Sequence, residues 1–63
     1  MNIDAILHDL HAASEKLDSL IFDVLREASA RGERDRPQVD KELVKVRRAL
    51  DKAIHTLYGI TDD

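Results

Sequence analysis

The chain has three histidines, thirteen carboxylate side chains and no cysteine in 63 residues, so a metal centre here would be built from imidazole and carboxylate alone. Asp4, His8, His11 and Glu15 recur at i, i+4, i+7 and i+11, one line along a helix that Asp18 continues. A His8-x-x-His11 pair could chelate a zinc-like or nickel-like ion. It supplies two ligands where a site takes three or four, and alternating acid and imidazole is also the pattern of a solvated, ion-paired face. Asp4, His8, His11 and Glu15 are therefore candidate ligands on a face whose simpler reading is solvated, with no resident metal or cofactor.

A second line is basic. Lys41, Lys45, Arg48, Lys52 and His55 are spaced 4, 3, 4 and 3, a stripe roughly 20 Å long on one side of a helix. Such a stripe could track a phosphate backbone, which makes RNA or DNA binding one alternative and an acidic protein another. The net charge of -3 and the 3% aromatic content weigh against stacking on bases, and outer faces of paired helices are normally charged. The hydroxyl residues are Ser14, Ser19, Ser29, Thr56, Tyr58 and Thr61, and no glycine-rich phosphate loop or cysteine nucleophile accompanies them. The chain reads as non-catalytic.

These lines must be carried by helices. Ile3, Leu7, Leu10, Ser14, Leu17, Ile21, Val24 and Ala28 are spaced 4, 3, 4, 3, 4, 3 and 4, a heptad seam. Val39, Leu43, Val46, Leu50, Ala53, Leu57 and Ile60 form a second seam with the same alternation. Between them, Gly32 suits the left-handed residue that ends a helix and Pro37 suits a first turn, with Asp35 and Gln38 at capping-box spacing. Gly59 before Ile60 has the look of a glycine C-cap. The spacing predicts one all-α domain over residues 1–63: a first helix over about 3–30, a loop over 31–36 and a second helix over about 37–58, with Asp62 and Asp63 frayed.

A loop this short demands an antiparallel hairpin, and folding the chain at residues 33 and 34 pairs positions whose numbers sum to 67. Leu17 then meets Leu50, and Ser14 meets Ala53 in a layer of small residues whose hydroxyl is expected to bond back to a helix carbonyl. A strict seven-residue repeat also predicts a left-handed supercoil. Charge supports the pairing: residues 1–30 carry six acids against two bases, while residues 31–52 carry eight bases against five acids.

A lone hairpin leaves each seam residue with neighbours on one side only. Ile6, Ala13 and Leu20 widen one flank of the first helix, Phe22 and Leu25 its other flank, and Ile54 and Tyr58 flank the second helix. A plain hairpin is expected to leave Phe22, Leu25, Ile54 and Tyr58 largely wet, so the chain is expected to be a homodimer, two antiparallel hairpins with heptad seams forming a four-helix bundle. Phe22, Leu25, Ile54, Tyr58, Ile6 and Leu20 are the candidate interface.

Two helices of this length, a short loop and a heptad seam suited to a dimeric bundle resemble the Rop-type RNA-binding proteins, across most of the chain. That likeness implies a dimeric hairpin fold. The RNA contacts of that family lie on polar and basic residues of the first helix, which is acidic here and does not carry them. Arg47-Arg48-Ala49-Leu50-Asp51, followed by Ile54 and Tyr58, is similar to the Ser-Gln-Glu-Leu-Asp segment of small two-helix phosphatases of response regulators. Leu50 and Asp51 match, and Arg47 stands in the place of the serine.

The reading that unites these features is a small helical adaptor or regulator acting through protein–protein interaction and self-association, with an unidentified protein partner. Nucleic-acid binding by the basic stripe and metal binding by the bundle are the alternatives. No apolar run approaches the roughly 20 residues of a membrane span, and Met1-Asn2-Ile3-Asp4 lacks the basic and apolar regions of a signal peptide, so the expected compartment is the cytoplasm. The start at Met1 and the stop at Gly59 read as a whole small protein, with an oligomerisation module of a longer chain as the alternative.

Overall fold

The structure is a computed structural model that describes residues 2–61, so Asp62 and Asp63, expected to fray, lie outside the described residues. It consists of two helices packed against each other, α1 (Ile3–Ala30) and α2 (Gln38–Thr61). The molecule is 49 Å long and 15 by 12 Å across.

Asn2 starts α1. Its side-chain oxygen accepts a hydrogen bond from the Ala5 amide at 3.2 Å, relieving one of the unpaired donors of the first turn, and Asp4 places an acid at the positive end of the helix dipole. At the other end Gly32 adopts a φ of 80°. The Gly32 amide then donates to the Ser29 carbonyl at 2.9 Å and the Glu33 amide to the Ala28 carbonyl at 3.0 Å, the two bonds of a Schellman stop. Gly32 therefore does what its position in the sequence predicts.

The second helix begins at Gln38, directly after Pro37, and the Lys41 amide donates to the Pro37 carbonyl at 3.3 Å. The expected capping pair of Asp35 and Gln38 does not form; Gln38 donates instead to Glu42 at 3.0 Å. Beyond Tyr58 the structure corrects the expected end of the helix. Gly59 is helical, and α2 continues to Thr61, whose hydroxyl donates to the Tyr58 carbonyl at 2.9 Å. A left-handed glycine stop is often accompanied by an apolar residue folding back onto the helix, whereas Ile60 here is itself helical and half exposed.

The seam of α1 lies where its heptads place it. Leu7, Ser14 and Ala28 are buried, and Ile3, Leu10, Leu17, Ile21 and Val24 are half-buried. The cross-helix contacts His11 to Tyr58 and Asp18 to Arg47 sum to 69 and 65, bracketing the expected 67. In α2 the seam is turned by about half a heptad position. Asp40 and Ile54 are buried and Arg47 is half-buried beside Leu43, Leu50 and Leu57, while Val39, Val46, Ala53 and Ile60 are exposed. Helix α2 thus faces α1 with the stripe Asp40, Arg47 and Ile54 rather than the stripe Val39, Val46, Ala53 and Ile60.

Only Leu7, Ala28 and Ile54 form the fully buried apolar core among the described residues. The small layer at Ser14 closes tightly enough to bury it, yet its hydroxyl oxygen has no hydrogen-bond partner, contrary to the expected bond back to a carbonyl. A buried hydroxyl without a partner costs on the order of 1 kcal/mol or more, and a methyl group of similar size carries no such cost. Ser14→Ala is therefore expected to stabilise the hairpin, by up to about 1 kcal/mol in urea denaturation followed by circular dichroism; a loss of stability would show that the hydroxyl is satisfied.

Candidate interaction surface

The two long sides of the hairpin have opposite chemistry. On one, the stripe His11, Asp18 and Leu25 of α1 runs alongside Arg47, Asp51 and Tyr58 of α2. His11 Nε2 and Tyr58 Oη are 3.1 Å apart, with the two rings tilted at 56°. Arg47 Nε donates to Asp18 Oδ1 at 2.8 Å and a second guanidinium nitrogen lies 3.5 Å from Asp18 Oδ2, while the third nitrogen donates to Asp51 Oδ1. The hydrogen bond to Asp18, then that to Asp51, holds the Arg47 guanidinium above its ordinary pKa. It stays charged at every working pH, and the planar fork suits this double grip in a way that a lysine ammonium would not.

The opposite side is apolar. Ile6, Ala13 and Leu20 line α1 at seven-residue intervals, and Val39, Val46, Ala53 and Ile60 line α2 likewise. Between the two rows lies an open groove of about 360 Å³ walled by Ala13, Lys16, Leu17, Leu20, Val46 and Leu50. Five of the seven large apolar side chains that the described residues leave exposed, Ile6, Leu20, Val39, Val46 and Ile60, belong to these two rows. Aligned apolar side chains of this kind mark an interaction surface more often than chance exposure does.

The structure divides the expected interface residues. Ile6 and Leu20 are on the apolar side and exposed. Ile54 is not wet: at 8% exposure it belongs to the core of the hairpin, because the turn of α2 points it at α1. Leu25 is half-buried, and Tyr58 is engaged by His11. Phe22, the most exposed of the group at 63%, lies with the Arg26 guanidinium 5.8 Å from its ring centre. The apolar row on α2 was visible in the sequence, where it was assigned to the internal seam.

The candidate metal ligands do not converge. Asp4, His8 and Glu15 are exposed on α1, His11 turns to Tyr58, and no three such side chains among the described residues are placed to share an ion. The basic stripe of Lys41, Lys45, Arg48, Lys52 and His55 is exposed along the side of α2 that faces away from α1, and within it Lys45 pairs with Glu42 at 3.4 Å. Asp51, one of the two residues shared with the phosphatase motif, is held by Arg47.

One polar group escaped the sequence reading. Asp40 is fully buried in the first turn of α2, with Arg36 Nε 2.8 Å from Oδ2 in an ion pair too poorly aligned to count as a hydrogen bond, so both carboxylate oxygens lack a hydrogen-bond partner. Its compensation is electrostatic, from Arg36 and from the positive end of the α2 dipole. No helix of the described residues is long and apolar enough to cross a membrane. Comparison of the chain with protein-family models, with curated proteins and with solved structures gives no match.

The bridge from Arg47 to Asp18 is the charged contact that spans the two helices, and reversing it tests its part in holding α2 in its turned position. Arg47→Glu, which faces Asp18 and Asp51 with a third negative charge, is expected to lower the thermal midpoint, and adding Asp18→Arg to recover part of the loss. Equal melting of the single and double variants would show that the bridge is a surface contact without consequence.

Proposed function

We propose that this protein is a non-catalytic helical adaptor or regulator that works by protein–protein contact and self-association. The observation that carries the reading is the continuous apolar side of the hairpin, which runs from Ile6 and Ile60 at one end to Val39 at the other and has no counterpart on the polar side. A chain whose buried apolar core is Leu7, Ala28 and Ile54 gains most by covering that side. The alternative of catalysis finds no support in the side chains: the hydroxyl groups of Thr56 and Thr61 bond to helix carbonyls, and Ser14 is sealed in the core.

Sedimentation across a dilution series, with helicity read at each concentration, tests this. The expected mass at high concentration exceeds 7.2 kDa, and Leu20→Lys with Val46→Lys is expected to return it to the monomer value while Phe22→Ser leaves it unchanged. A folded monomer at every concentration, or association lost through Phe22→Ser instead, would overturn the assignment of the surface.

The basic stripe supports a second reading, polyanion binding. Lys41, Arg48 and Lys52 have no salt-bridge partner among the described residues, so their charges are free to face a phosphate backbone. Retention on a heparin column that falls steeply with salt and disappears in Lys45→Glu/Arg48→Glu is the expected signature. Passage of the unaltered chain through the column at low salt would remove this reading.

A further inference from the structure

We infer that the apolar side is covered by a second copy of this chain related by a two-fold axis parallel to the helices, so that α1 of each copy lies beside α2 of the other and both loops sit at the same end. This rests on reading that side as an interaction surface and adds the occupant and its orientation.

Size comes first. A face 49 Å long and 15 Å wide offers about 700 Å² per copy, close to the roughly 800 Å² per partner of a standard stable interface. The two apolar rows also match in steric pattern. With the axis parallel to the helices, α1 meets the second copy's α2 at the same height as it meets its own. Ile6 then sits opposite Ile60, Ala13 opposite Ala53, and Leu20 opposite Val46, large against large and small against small, while Glu27, the next residue of the α1 row, falls opposite Val39 at the loop end. Each α2 would use the row Asp40, Arg47 and Ile54 toward its own α1 and the row Val39, Val46, Ala53 and Ile60 toward the second copy. Both rows are then explained, as expected for helices in a four-helix bundle.

A two-fold perpendicular to the helices would also set small against small, because Ala13 and Ala53 would each meet its own copy, but it leaves Val39 beyond the overlap. Charge separates the two arrangements. Helix α1 carries six acids and two bases, a net -4, and α2 carries five bases and three acids, a net +2. The perpendicular axis stacks α1 on α1 and α2 on α2, like charge on like. The parallel axis stacks α1 on α2 at both contacts, net negative on net positive, with Asp23 near Lys45 at the rim and like pairs at Asp23 with Glu42 and at Lys16 with Lys52. The balance of whole helices, rather than any one rim pair, favours it.

The chain has no cysteine, so Arg34→Cys in the exposed loop gives a single attachment point for a spin label. Sedimentation of the labelled protein establishes the mass, and pulsed dipolar spectroscopy then measures the separation of the two labels. A dimer with labels no more than about 20 Å apart, one layer spacing of about 10 Å plus the reach of the two label arms, is expected. A dimer with labels separated by nearly the 49 Å length of the molecule overturns the orientation and leaves the interaction surface standing. A monomer, or an assembly larger than a dimer, overturns the choice of a second copy as the occupant. As a second measurement, Glu27→Leu, which sets an apolar side chain opposite Val39 of the second copy under the parallel axis and outside the contact under the perpendicular one, is expected to tighten dimerisation about tenfold. Unchanged dimerisation in Glu27→Leu also overturns the orientation.

Discussion

The grip of Arg47 on Asp18 and Asp51 is the contact on which the surface of this protein depends. A guanidinium that is half-buried between two helices and holds a carboxylate on each lies at the edge of their contact, and its place there goes with the rotation of α2 about its axis. Asp40 and Ile54 stand one heptad before and after Arg47, so they turn inward with it. Val39, Val46, Ala53 and Ile60 are one residue back along the helix, which carries them out of the internal contact and onto the side where Ile6, Ala13 and Leu20 already lie. A single ion bridge is worth little as stabilisation at a surface. What matters here is its place: Arg47 marks which of two adjacent rows on α2 is spent inside the hairpin.

That decision explains the thin core. Two helices touch along one narrow strip, and a strip that contains Asp40 and Arg47 buries less apolar area than one made of Val39 and Val46. The hairpin gives up apolar contacts of its own in favour of polar closure on one side, through His11 with Tyr58 and Asp18 with Arg47. The cost falls on the isolated chain. In an assembly the same division is economical, because the polar side can face water while the apolar side is covered.

Much of this fold was legible in the residues. The heptads of α1, the break at Gly32 and Pro37, the antiparallel register and the segregation of charge all follow from spacing that a helix converts directly into position. Two things were not legible, for separate reasons. The rotation of α2 depends on a partner of Arg47 that is 29 residues away in the chain, and hydrophobic periodicity cannot distinguish an apolar row that faces its own chain from one that faces outward. Gly59 offered a local stop signal that α2 overrides, continuing as helix to Thr61. The candidate surface was half legible: Ile6 and Leu20 were recognised as a flank, whereas Val46 and Ile60 were assigned to the seam, and Ile54 was assigned to the surface although it completes the core.

The same geometry keeps the two readings of function from competing. Lys41, Lys45, Arg48, Lys52 and His55 project from the side of α2 opposite its contact with α1, about a third of a turn beyond the apolar row of Val39, Val46, Ala53 and Ile60. Covering the apolar row therefore leaves most of the stripe in solvent. Of the stripe, Lys45 lies nearest the apolar row, so a cover on that row would border Lys45 and leave Lys41, Arg48, Lys52 and His55 open. In a bundle with a parallel two-fold the two stripes occupy diagonal corners, too far apart to grip one phosphate backbone from a single side. Each stripe would then act alone, and a polyanion bound to one would leave the other exposed for a second molecule or for an acidic protein.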